Sequence, residues 1–109
     1  MKNYFFVALI SGGKREVEYK DAFEMYGYKF VIHKAIEFSS DKYHVSDFLT
    51  GNEVGHGKTK KEAIEKAKHR LEIAGNELTL EKINQYPHIN EVIKWQSKKV
   101  LQLLVKSLN

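Results

Sequence analysis

The run TGNEVGHGKTKKEAIEKAKHRL, from Thr50 to Leu71, constrains this chain more than any other stretch. It joins a strand end, a glycine turn and a helix start. Thr59 has the short oxygen-bearing side chain of an N-cap, and Glu62 follows three residues later, so the two can satisfy orphan amides reciprocally in a capping box. The spacing predicts a helix beginning at about Lys60. Ala63, Ile64, Ala67, Leu71 and Ala74 then recur at three- and four-residue intervals, which at 100° per residue places them on one buried face. Gly75 is the expected left-handed C-cap.

The same run carries the charge. Six basic residues (58, 60, 61, 66, 68 and 70) face two acids (62 and 65) between Lys58 and Arg70, a surplus of four that equals the +4 of the whole chain. Lys58, Lys60 and Lys61 crowd the first helical turn, where the macrodipole favours acids and where exposed amides attract anions. That conflict points to phosphate binding. The alternative is a solvated face, with Glu62 and Lys66, and Lys68 and Glu72, as ordinary i,i+4 pairs.

At 109 residues with 42% apolar and 12% aromatic content, the chain is expected to be a single domain, 1–109, able to bury one core. The absence of cysteine excludes disulfides and thiolate zinc sites, and fits a reducing cytoplasm. The apolar opening around Tyr4 to Ile10 is too short to span a membrane and has no small-residue cleavage site, so it reads as a strand. A pI near 9.2 suits a nucleic acid or an acidic protein surface.

Along the chain, Ser11–Lys14 reads as a turn and Val17 to Tyr19 as a return strand. The stretch from Lys20 to Tyr26 fits both helical and alternating spacing, and a short helix is the expectation. Tyr28 to Ile36 alternates clearly, with Tyr28, Phe30 and Ile32 on one side and Lys29, Val31 and His33 on the other. Further strands are expected over Lys42 to Leu49 and Glu53 to His56, joined by a tight turn at Thr50–Asn52. Thr79 is expected to cap a short helix ending near Gln85, and Pro87 interrupts it. Asn90 opens a last helix whose apolar stripe, Val92 to Leu108, covers nearly half its circumference. That stripe suits a sheet surface, and it offers a seam for a homodimer as the alternative.

Catalytic patterns are missing. His33, His44, His56, His69 and His88 lie on separate elements with no close ligand spacing, so no metal site or cofactor is expected. His56 between Gly55 and Gly57 stands out, because glycines permit close approach of a ligand. The GHGKT segment is a phosphate-loop fragment whose full spacing fails. The chain is expected not to be an enzyme.

GHGKTKKEAIEKA resembles the strand-to-helix segment of double-stranded RNA-binding domains through Gly55, Gly57, Thr59, Lys60, Lys61, Ala63 and Ala67. The resemblance runs from about Tyr28 to Ala74 and implies that Lys60 and Lys61 grip phosphates across the major groove. Ile64 stands where that family has its third lysine, and its first helix is represented only near Asp21 to Tyr26. Gly57, Thr59, Glu62 and Ala63 are also similar to HicB-type antitoxins, which implies a module that binds protein. A shared fold does not fix function.

The resulting expectation is an α+β domain, an antiparallel sheet of three to five strands packed by a central and a C-terminal helix. The expected function is phosphate-directed binding of duplex RNA or DNA through Lys58, Lys60, Lys61, Lys68 and His56. The alternative is a mobile-element inhibitor of a nucleic-acid-binding host protein, of antitoxin, anti-restriction or anti-CRISPR type.

Overall fold

The computed structural model describes residues 3–9, 11–35 and 41–90. Five strands, β1 (Asn3–Ala8), β2 (Lys14–Met25), β3 (Tyr28–Lys34), β4 (Tyr43–Asp47) and β5 (Glu53–Gly57), form one antiparallel sheet in sequence order. One helix, α1 (Lys60–Gln85), follows. The expected C-terminal helix, with its apolar stripe and dimer seam, lies outside the described residues. No described helix is long and apolar enough to cross a membrane.

The expected short helix at Lys20–Tyr26 is instead the second half of β2. The register slips between Tyr19 and Asp21, leaving Lys20 as the extra residue of a bulge. Because a bulge breaks strict alternation, Val17 and Tyr19 face one side of the sheet while Phe23 and Met25 face the other. That break imitates helical periodicity in the sequence. Tyr26 and Gly27 then turn the chain with φ of 56° and 79°, the positive pair that a two-residue type I′ hairpin requires.

Each sheet face is covered, by different means. On the helix face, Ala63, Ala67 and Leu71 of α1 pack on Phe30, Ile32 and Val45. Here α1 lies so close to β5 that a Cβ on Gly55 would stand 2.8 Å from the Ala67 backbone, and one on Gly57 would stand 2.5 Å from the Ala63 nitrogen. The glycines therefore admit the helix on that side of β5.

On the opposite face, Phe5, Val7, Tyr19, Val31 and Phe48 form a second cluster that includes no α1 residue. The β4–β5 turn folds back onto β1 to close it. Ala8 donates from its backbone nitrogen to the Gly51 carbonyl at 3.0 Å, and Phe48 donates likewise to Lys29 at 2.9 Å. Asn90 completes the clasp. Its Oδ1 accepts from the Phe6 nitrogen at 2.7 Å, while its Nδ2 donates to the carbonyls of Phe6 at 2.9 Å and Phe48 at 2.6 Å. One carboxamide thus pairs with the outer edge of β1 as a neighbouring strand would, removing backbone groups that would otherwise template edge-to-edge association.

Gly75 takes a positive φ of 77° with ψ of 171°, a non-helical break that divides α1 into two arms across a kink, so the first arm ends at the residue expected to end it. Thr79 is buried inside the second arm and caps nothing.

Candidate nucleic-acid interface

The helix start is built as its residues dictate. Thr59 is extended, with φ of −123° and ψ of 161°, and its Oγ1 accepts from the Glu62 nitrogen at 3.1 Å. Glu62 reaches back one residue beyond the expected cap position and accepts from the Lys58 nitrogen at 3.3 Å. Its carboxyl is held below the usual range first by Lys66, whose ammonium lies 2.9 Å away, and then by the Lys58 amide. The expected i,i+4 pair of Glu62 and Lys66 therefore forms.

The five residues assigned to phosphate binding divide. Lys60 lies 2.8 Å from Asp21 of β2, and that hydrogen bond holds its ammonium above the ordinary lysine value. Part of its charge is already answered. Lys68 does not reach for Glu72; its ammonium sits 5.1 Å over the Phe23 ring in a cation–π contact. His56 turns its Nδ1 to the Asp41 carboxylate. The Lys58 and Lys61 side chains are exposed and form no ion pair among the described residues.

Asp21 and Asp41 were not singled out in the sequence, and neither has a local signature there. Asp21 meets Lys60 across 39 positions, and Asp41 meets His56 across 15. Two more cations escape sequence reading. Lys20, extruded by the β2 bulge, and Lys34, at the end of β3, join Lys60 and Arg15 around a cleft of about 650 Å³, opposed by Glu16, Glu18 and Asp21. The basic surface at the helix start thus continues onto the sheet, where acids interrupt it.

Across β3, β4 and β5 the register sets His33 beside His44 and His44 beside His56. Ring centroids are 5.9 Å apart for the first pair and 6.1 Å for the second. His33 is buried against Ser46 Oγ at 2.8 Å. Its imidazole is held below the ordinary value, chiefly by burial, against which the Lys34 carbonyl pulls, with a smaller contribution from His44. This row was invisible in sequence because register, not spacing, assembles it. Among the described residues, no group of three or more His, Asp or Glu is placed to hold a metal ion.

No family model, curated protein or solved structure matches this chain.

Proposed function

We propose that this chain is a small nucleic-acid-binding protein that contacts phosphates through the start of α1. The observation that carries the reading is the pair of exposed lysines, Lys58 and Lys61, without ion-pair partners among the described residues, at a helix start where the dipole disfavours them. Lys60, shared with Asp21, contributes less than the sequence suggested. The resemblance to double-stranded RNA-binding domains supports the same reading, with Lys60 and Lys61 as its phosphate contacts.

Two phosphates neutralised at this site give a slope of log affinity against log salt of roughly −2. Titrating labelled duplex RNA, duplex DNA and single strands at two salt concentrations measures it. Lys58→Glu with Lys61→Glu leaves the cap and the apolar helix face untouched, so folding survives while affinity falls and the slope flattens. Equal binding by the double variant, or no binding of any strand at low salt, overturns the reading.

A second reading is a protein inhibitor of a nucleic-acid-binding host protein, in keeping with the protein-binding module that the HicB resemblance implies. One observation favours it. Ile73, Leu78, Leu80 and Tyr86 around and beyond the Gly75 kink are exposed, Ile73 at 73%, which suits a protein partner better than a phosphate backbone.

A further inference from the structure

The rim of the histidine row has the composition of a proton-transfer site, and it adjoins the proposed phosphate-binding surface. His56 keeps 52% of its side-chain surface open, while Asp41, at 12%, receives its Nδ1. This hydrogen bond is the main reason the Asp41 carboxyl lies below its ordinary range, with the charges of Lys66 and Lys58 adding to it. With the proton on Nδ1, the carboxylate fixes the ring and leaves Nε2 as the basic nitrogen. His44 stands alongside, with its Nδ1 3.8 Å from Glu53 Oε2. At a centroid separation of 6.1 Å, the two imidazoles can each come within about 3 Å of a different oxygen of one phosphodiester. Lys58, two residues beyond His56, supplies a cation for the non-bridging oxygens.

From this juxtaposition we infer that the chain cleaves RNA at unpaired ribonucleotides by internal transesterification, an inference that rests on the nucleic-acid reading above. It departs from the sequence expectation of no catalysis. His56 Nε2 takes the proton of a ribose 2′-hydroxyl as that oxygen bonds to the adjacent phosphorus. The P–O5′ bond breaks, its electron pair leaves with the 5′-oxygen, and protonated His44 supplies the proton that makes this a 5′-hydroxyl. The other product is a 2′,3′-cyclic phosphate. The two imidazoles end with exchanged protonation states, which solvent restores. Asp41 is a positioning residue acting through His56. An A-form duplex holds the 2′-oxygen out of line with the leaving oxygen, so the substrate is a flexible strand.

The test uses a deoxyoligonucleotide containing one ribonucleotide, incubated with the full chain in EDTA, with products identified by mass. Cleavage after the ribonucleotide, leaving a cyclic phosphate, is expected. His56→Ala and His44→Ala each lower the rate at saturating strand by about 100-fold or more. Asp41→Asn lowers the rate and moves the acidic limb of the pH–rate profile, the limb set by the general base His56, which a merely structural role would not do. If His44→Ala fails to fold by thermal melt, His56→Ala decides alone, since that side chain is half exposed. Binding of the strand without cleavage overturns this inference and leaves the proposed function standing, whereas failure to bind any strand removes both. Cleavage that survives the His56 variant, or that stops in EDTA, also overturns it.

Discussion

The two faces of the sheet reach the same degree of burial by unlike routes. Phe30 and Val45 are covered by a helix that follows β5 directly in sequence. Phe5 and Val7 are covered where the turn between β4 and β5 and a lone asparagine, 84 positions from its partner in β1, fold over the sheet edge. Helix packing distributes its free energy over many small apolar contacts, whereas the clasp concentrates its own in a few buried polar groups and one glycine. The helix face should therefore tolerate single changes better than the clasped face.

The largest expected effect is at Gly51. Its φ is 71°, and a Cβ there would stand 2.4 Å from the Phe6 carbonyl oxygen and 2.8 Å from the Ala8 nitrogen. Gly51→Ala combines left-handed strain with overpacking against backbone that cannot yield, so a loss of about 4 kcal/mol is expected in urea melts. A loss below 1 kcal/mol would show that β1 is free to move away, and the comparison of faces would break.

Asn90→Ala comes next, at roughly 3 kcal/mol, because it leaves the partly buried Phe6 nitrogen and carbonyl and the buried Phe48 carbonyl unpaired. Exposing the β1 edge should also make the variant associate at high concentration, which light scattering reads. On the helix face, Gly57→Ala should cost about 2 kcal/mol, since α1 can lift slightly along its whole length to relieve the 2.5 Å approach to Ala63. If it costs more than Gly51→Ala, the helix is the less forgiving cover and the ranking reverses. Thr59→Ala should cost about 1 kcal/mol through loss of the cap to Glu62. An unchanged midpoint would remove Thr59 from the cap.

The smallest expected effect is reversible. His33, on the clasped face, has a folded-state value below its ordinary 6.5, so folding expels a proton from it. Its contribution is complete above pH 6.5 and is lost as pH falls from there through the folded-state value. Stability measured at pH 7.5 and 5.5 should drop less in His33→Asn than in the native chain, the other histidines being common to both. Equal drops would place the pH dependence elsewhere.

Much of the helix face was legible in sequence. The Thr59 cap, the start at Lys60, the stripe of Ala63, Ala67 and Leu71, and the alternation of β3 all follow from contacts within a few residues, where backbone periodicity is the physical cause. The second half of β2 was misread because one bulged residue, Lys20, turns alternation into an apparent helical spacing. Gly75 was read correctly as the end of a helical arm but not as a kink, since its positive φ alone does not decide whether the chain resumes a helix.

The sequence by itself determined where the capped helix and the strands other than the second half of β2 lie and where the surplus positive charge collects, because those depend on local propensity and on charge that needs no partner. Only the tertiary structure decided which of those charges remain available and which face each strand residue serves. Asp21 answers Lys60, Phe23 takes Lys68, Asp41 orients His56, and the strand register lines up His33, His44 and His56. Each pairing joins residues far apart in the chain, and closing those distances depends on the free energy of the whole fold rather than on any local spacing.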